Sequence, residues 1–379
     1  MRIFSRITFF IVILICLPEC ETGWAGEYES ALSGMHTWNA TDSIQEIDVQ
    51  VVYYLEKNGW PLPDWRERVE YHMRRVQEFH HREFTGQSRM EYTLLPKPFL
   101  ASATAEGFPG DDVNQFYWTI INEVWHSGKI HFQPNRFPIL LVFANVNFSP
   151  GYDDWTRVCH PERCLFPSNH DQCAGHVTGE GEDRPGSRCG GARSVFWPEQ
   201  HIGLSLVTAD GWKVPIKGTD CVVYHEGIGH AVGLPHPEPI DNSVMGLAQY
   251  VDSLQKTWID EDQKRKLGWT PEPIDHDPLF SSLSVSHRPS NPSASAPVEI
   301  VAELPSRFEI VSAELRVQTG LFNPFEMISE SRRESGEGIH RWSWTLPPVA
   351  KDHCVGYRVT VKTKDGLEET IWDYYKVRE

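Results

Sequence analysis

The chain has 379 residues, of which 40% are hydrophobic and 14 are tryptophans, so it is long enough for two domains and can build a large core. It carries 35 Lys and Arg residues against 52 Asp and Glu residues, a formal net charge of −17. Nucleic acids and anionic membrane surfaces repel an acidic protein, so neither is expected as a partner.

The first 25 residues have the pattern of a secretory signal peptide. Two arginines precede an apolar run over residues 7–17, which is too short to cross a bilayer as a stable helix. Gly23 and Ala25 then place small residues at the two positions that a signal peptidase reads. We therefore expect residues 1–25 to be removed, residues 26–43 to form a short N-terminal lead, and the mature protein to be secreted or otherwise extracytoplasmic.

Residues 44–270 alternate between strand-like and helix-like patterns. Runs rich in Val, Ile and Tyr predict strands, and apolar residues at spacings of three and four predict amphipathic helices. In chain order the pattern predicts a strand at 47–55, a long helix from Asp64, a strand at 90–95, a helix at 111–126, strands at 138–146 and 201–208, and helices at 220–232 and 258–267. The expected result is a mixed, twisted sheet covered by helices.

A long Cys-rich segment, residues 151–191, separates two of the predicted strands. A loop of this length is uncommon unless it is functional or cross-linked, and six cysteines in an exported chain favour disulfide bonds. The six are Cys159, Cys164, Cys173, Cys189, Cys221 and Cys354. A structural Ca²⁺ or a second Zn²⁺ in the loop is the open alternative. Its ligands would be Asp153, Asp154, Glu180, Glu182 and Asp183 for calcium, or His160, His170 and His176 for zinc.

The composition changes again after residue 270. Residues 271–297 are rich in Pro, Ser, His and Asn, which indicates a linker. Residues 298–379 contain short alternating runs separated by turn signals, a pattern typical of a small antiparallel β-sandwich of the immunoglobulin or fibronectin kind. The chain as a whole is therefore assigned to the α+β class, with a mixed sheet and helices followed by an all-β domain.

Histidines, a glutamate and a glycine in and after the helix predicted at 220–232 have the spacing of a zinc site. A hydrolytic zinc ion takes three protein ligands and leaves one position for water. His225, His230 and His236 supply three imidazoles. Gly233 lets the chain turn between the last two, and Glu226 lies beside the first, where it can take a proton from the water.

This arrangement resembles the metzincins, zinc peptidases whose signature is H-E-x-x-H-x-x-G-x-x-H followed by a Met-turn. The sequence Ser-Val-Met-Gly at 243–246 matches the Met-turn, and the resemblance extends over roughly residues 44–269. It implies an enzyme that hydrolyses protein or peptide substrates, with one catalytic zinc ion on the three histidines and Glu226 as general base. We expect the protein to be a monomer. Met245 would support the site from below. Tyr250 is a candidate for stabilising the transition state.

One extra residue distinguishes this chain from that signature. Three residues, not two, lie between Glu226 and His230, so an α-helix would turn His230 about 140° away from His225. A π-turn, with hydrogen bonds between residues i and i+5, absorbs the extra residue and returns both histidines to one face. Gly227 and Gly229 have no Cβ to resist it. The six-residue spacing also resembles the zinc motif of the dipeptidyl peptidase III family.

Two alternatives remain open at the level of the sequence. In a regular helix, Glu226 and His230 would share a face, and Glu226, His230 and His236 would hold the metal without an evident base. Alternatively, the chain is a catalytically inactive binding or adhesion protein with a structural metal, and aromatic residues of its β-sandwich recognise the ligand. Those aromatic residues are Trp342, Trp344, Trp372, Tyr374 and Tyr375. Aromatic side chains on strands more often belong to a core.

Overall fold

A computed structural model of the chain describes residues 34–109, 112–148, 190–216, 218–248, 253–272, 279–336, 338–350 and 354–377. The chain is of the α+β class, with one mixed sheet and helices in its N-terminal half and two antiparallel sheets in its C-terminal half. All of these residues belong to one compact unit, Leu32–Glu379. No helix in these ranges is long and apolar enough to cross a membrane.

The N-terminal half is built on a six-stranded sheet in the order β2-β1-β4-β6-β5, and β3 also pairs with β1. Its strands are β1 (Glu46–Leu55), β2 (Arg89–Leu94), β3 (Phe99–Leu100), β4 (Phe137–Ala144), β5 (Arg193–Trp197) and β6 (Ile202–Val207). The pairings are parallel except that of β5, which runs antiparallel to β6 at one edge. Strands β1 and β4 are buried along nearly their whole length, as continuous apolar runs predict.

Helices cover both faces of this sheet. They are α1 (Trp65–Phe84), α2 (Val113–Trp125), α3 (Ala209–Trp212), α4 (Thr219–Tyr224) and α5 (Glu261–Lys266). Val76 of α1 and Tyr224 of α4 belong to the core on one face, and Ile120 of α2 belongs to a second core. Val51 and Val52, neighbours on β1, enter different cores, because successive side chains of a strand point to opposite faces. The sheet is therefore buried on both sides.

The C-terminal half consists of two four-stranded antiparallel sheets, in the orders β10-β9-β13-β14 and β11-β12-β8-β7. The strands are β7 (Ser284–Arg288), β8 (Val298–Pro305), β9 (Ile310–Gln318), β10 (Glu326–Ile328), β11 (Arg332–Gly336), β12 (Ile339–Leu346), β13 (Cys354–Thr363) and β14 (Glu368–Lys376), and a short helix, α6 (Leu279–Ser282), precedes them. Side chains from both sheets share one hydrophobic core, as in a β-sandwich.

Several segments differ from the sequence prediction, among them β7, the N-terminal lead and β5. β7 lies within the predicted linker at 271–297, where its polar sequence gives no strand signal and pairing with β8 stabilises it. The predicted lead at 26–43 is part of the fold from residue 34, since Met35 is buried in the core of the mixed sheet. β5 has no counterpart among the predicted strands, because it is short and none of its residues is fully buried.

The two halves of the chain meet across an apolar interface. Leu62, Tyr71 and Val214 of the N-terminal half pack with Trp372 and Tyr374 of β14 in a buried cluster of their own. Burial of this kind ties the β-sandwich to α1, so the C-terminal half is not connected to the mixed sheet by a flexible linker alone.

Two buried arginines of α1 cross the same interface. Arg68 is fully buried and donates to the side-chain oxygen of Gln318 on β9 at 2.8 Å. Arg75 donates to Asp220 of α4 at 2.8 Å and to Glu369 of β14 at 2.8 Å, and all three of these side chains are buried. This ionic triad joins the β-sandwich to the helix that leads to His225.

Replacing Arg75 with Met should destabilise the protein strongly, because Asp220 and Glu369 would lose their common cation while remaining buried. We expect the free energy of unfolding to fall by about 3–5 kcal/mol in urea denaturation. Arg265→Met is the matched control, since Arg265 pairs with Glu261 on the surface of α5 and such exposed pairs contribute about 1 kcal/mol or less. Equal losses in the two variants would contradict this account of the triad.

Candidate metal centre

The helix that carries His225 contains the predicted π-turn. α4 continues without a break into a π-helical turn at His225–Gly229, which is followed by a single 3-10 turn at His230–Val232. The amide of His230 donates to the carbonyl oxygen of His225, five residues before it. The extra residue is therefore absorbed inside the helix, and both histidines are directed to the same place.

Three histidine side chains converge beside this turn. The ring centroid of His225 lies 4.5 Å from that of His230 and 5.1 Å from that of His236, and the last two are 5.0 Å apart. One ligand nitrogen from each ring lies within 4.8 Å of the other two. The Nε2 atoms of His225 and His236 are 3.2 Å apart, close to the ~3.3 Å that Zn–N bonds of about 2.0–2.1 Å imply for a tetrahedral site.

Backbone carbonyls determine the tautomers of two of these rings. Nδ1 of His225 lies 2.8 Å from the carbonyl oxygen of Val244, and Nδ1 of His230 lies 2.7 Å from that of Leu234. A carbonyl oxygen only accepts, so Nδ1 carries the proton in both neutral rings and each Nε2 keeps a free lone pair. Histidines that bind metals nearly always make such an outer hydrogen bond. This group of residues could therefore hold a metal ion, and its donor atoms fit zinc.

Desolvation favours the neutral form of His225 and, to a smaller extent, of His236. His225 is 4% exposed, and desolvation lowers its pKa to about 3, with repulsion by His230 adding to the effect. His236 lies closer to the surface, and its pKa is also lowered, first by partial desolvation and then by His230. Neutral imidazole is the form that coordinates a metal, so the environment suits metal binding.

Glu226 lies in the π-turn next to the first histidine. Its side chain is half-buried, and its Oε2 lies 3.2 Å from Oγ of Ser194 on β5. Burial raises the pKa of this carboxyl, while attraction to His230 and the contact with Ser194 oppose the rise. A carboxylate with a raised pKa beside a metal-binding group has the properties of a general base.

Met245 packs against the π-turn. Its side chain is fully buried, and the residue before it, Val244, supplies the carbonyl oxygen that accepts from His225. A Cβ on Gly229 would lie only 2.3 Å from Sδ of Met245. The φ angle of Gly229 is −55°, which any residue adopts. Gly229 is therefore needed for the close contact with Met245 and not for backbone freedom.

A glycine and a glutamine position the segment that carries His236. Gly233 ends the helix with a φ angle of 89°, and a Cβ there would also lie 2.9 Å from Cβ of Trp38. Past this turn, Gln263 of α5 donates to the carbonyl oxygen of Pro235 at 2.9 Å. The third histidine is thus held by contacts outside the helix that carries the first two.

The alternative ligand set, with Glu226 in place of His225, requires a regular α-helix. The helix instead contains a π-turn at His225–Gly229, so the structure does not support this set. The metal-binding group found among the described residues consists of the three histidines, whereas the Glu226 side chain contacts Ser194. The sequence gives no signal for Ser194, because the serine approaches the helix from another part of the chain.

Some predicted residues lie outside the described part of the chain. They include Tyr250 and residues 151–189 of the Cys-rich loop, and therefore every candidate ligand for a structural calcium or a second zinc ion. Cys221 and Cys354 are described, and both are buried. The disulfide bonds and the loop metal remain predictions.

Comparison with known proteins assigns no family. No family model matches the chain, and no curated protein matches it. A similar solved structure, that of astrotactin-2, a conserved vertebrate-specific and perforin-like membrane protein involved in neuronal development, has a TM-score of 0.21 and 13% sequence identity. The similarity covers 25% of this chain and 21% of that one, and a likeness of this extent carries no information about function.

Gly229→Ala should destabilise the protein by about 1–3 kcal/mol, because a Cβ there would push the buried Met245 side chain out of place. On backbone grounds alone the substitution would stabilise a helical position by up to about 1 kcal/mol. Gly227→Ala is the matched control, since its Cβ would meet only the Leu141 side chain, at 3.2 Å. Urea denaturation of the metal-free protein measures the free energy of unfolding of both variants. A stabilising Gly229→Ala would refute the contact argument.

Proposed function

We propose that this chain is an exported, zinc-dependent endopeptidase of the metzincin type. The observation that carries the proposal is the convergence of His225, His230 and His236, with Nδ1 of the first two satisfied by backbone carbonyls and Glu226 adjacent. The order of strands and helices that leads to this helix, and the buried methionine beside it, agree with the resemblance drawn from the sequence. Protein or peptide substrates follow from that resemblance.

Each residue of the site has a definite part in the proposed reaction. The three histidines would hold the zinc ion, which would supply a water molecule of lowered pKa and polarise the scissile carbonyl. Glu226 accepts the water proton and later donates it to the leaving amine. Ser194 Oγ lies 3.2 Å from Oε2 of that carboxylate and limits its movement. The raised pKa of Glu226 favours holding this proton between the two transfers.

The rival proposal, an inactive binding protein, loses support from the burial of the β-sandwich aromatics. Trp342, Trp344, Trp372, Tyr374 and Tyr375 are between 1% and 6% exposed. Aromatic side chains that stack on a ligand must be accessible to it, whereas these residues belong to the β-sandwich core or to the interface with the N-terminal half. They do not form a recognition surface.

The purified mature protein should contain about one zinc ion per chain by elemental analysis, as three histidine ligands imply. His236→Ala should lose most of that zinc while the protein remains folded, because His236 lies near the surface and outside the helix. His126→Ala, an exposed histidine at the end of α2, should keep it. A folded wild-type protein that stays metal-free after zinc supplementation would contradict the proposal.

Glu226→Gln should keep the zinc ion but lower the rate of casein hydrolysis by roughly a thousandfold or more, since a positioned base and its charge are both removed. Glu199→Gln, which changes an exposed carboxylate beyond the end of β5, should hydrolyse casein at the wild-type rate. Loss of zinc from Glu226→Gln would mean that Glu226 is a metal ligand and not the base.

A further inference from the structure

Two serines on neighbouring strands face the π-turn as a pair. Ser194 of β5 and Ser205 of β6 are directly opposite each other in the antiparallel register. Side chains of directly opposed residues lie on the same face of a sheet. Ser205 is fully buried and Ser194 is half-buried, so both hydroxyls lie between the sheet and the helix. We refer to Ser194 and Ser205 as the serine pair.

Both hydroxyls of the serine pair donate to carbonyl oxygens of the π-turn. Ser194 Oγ donates to the carbonyl oxygen of Glu226, and Ser205 Oγ donates to that of Gly227 at 3.0 Å. Ser194 Oγ also lies 3.2 Å from Oε2 of the Glu226 carboxylate. Two consecutive peptide groups of the turn are therefore bonded to the sheet.

A glycine on β6 makes this approach possible. A Cβ on Gly203 would lie 2.6 Å from the carbonyl oxygen of Ala231, so the strand and the helix are in backbone contact there. Gly203 and Ser205 share one face of β6, about 6.6 Å apart, and Ala231 and Gly227 are separated by about one helical turn of 5.4 Å. The spacing of Gly203 and Ser205 along β6 is therefore similar to that of Ala231 and Gly227 along the helix. The contact at Gly203 thus brings Ser205 within reach of the π-turn.

We propose that the serine pair are positioning residues for the metal site, holding the extra residue of the motif as a π-turn at His225–Gly229. A π-turn has poorer hydrogen bonds than an α-helix, and a regular helix would turn His230 about 140° away from His225. Hydroxyl donors aimed at the Glu226 and Gly227 carbonyl oxygens stabilise the turn at this place in the chain. The inference rests on the proposed function only in taking the three histidines as metal ligands.

The test is a titration of the metal-free full chain with Co²⁺, whose visible absorption reports coordination geometry. Ser194→Ala and Ser205→Ala should each weaken Co²⁺ binding about tenfold, as loss of outer-shell support typically does, and should change the spectrum. Ser194→Thr keeps the hydroxyl and should show the wild-type Co²⁺ affinity and the wild-type spectrum. Ser127→Ala is the matched control, because Ser127 is half-buried like Ser194 and donates to the backbone carbonyl of Val124 at 2.6 Å, just after the end of α2. It should leave Co²⁺ binding unchanged.

A second measurement separates this inference from the proposed function. Amide hydrogen exchange of the metal-free protein should become faster over residues 225–232 in the double variant Ser194→Ala/Ser205→Ala, and remain at the wild-type rate in Ser127→Ala. If wild type binds no metal while the exchange effect appears, the proposed function fails and the serine pair still holds the turn. If folded variants show wild-type Co²⁺ affinity, spectrum and exchange, the inference is overturned whatever the protein hydrolyses.

Discussion

The geometry of the site depends on one backbone hydrogen bond, from the amide of His230 to the carbonyl oxygen of His225. It closes a helical turn that is one residue longer than usual, and in that turn both imidazoles are directed to one point. Such turns are rare, so neighbouring groups must favour this one. Gly229 admits Met245 into close contact with the turn, and the neighbouring carbonyl oxygens accept hydroxyl protons from the sheet.

The ligand tautomers are determined by parts of the chain that follow the helix. Leu234 and Val244 provide the carbonyl oxygens that hold Nδ1–H of His230 and His225. Both carbonyls come into place only when the chain has turned at Gly233 and returned beneath the helix. A motif that is local in sequence therefore yields an ordered group of three imidazoles, which could hold a metal ion, only in the folded protein.

Much of the site could be predicted from the sequence, because helical geometry is strict. A spacing of five positions from His225 to His230 excludes a shared metal in an α-helix, so the three-histidine hypothesis by itself required a π-turn. Ser194 could not be predicted, since it contacts Glu226 from a strand 32 residues earlier and local periodicity carries no information about such pairs. β7 could not be predicted either. Its own sequence is polar, and it forms a strand because it pairs with β8.

The position of the ionic triad explains why the C-terminal half belongs to the same structural unit as the histidines. Arg75 binds both Glu369 of the β-sandwich and Asp220, five residues before His225 in the chain. α4 passes directly into the π-turn, so Asp220 and His225 lie on one continuous helix. A domain attached only by a flexible tether would not share a buried ion pair with the helix that carries His225. The β-sandwich is therefore tied by buried ion pairs to the helix that carries His225.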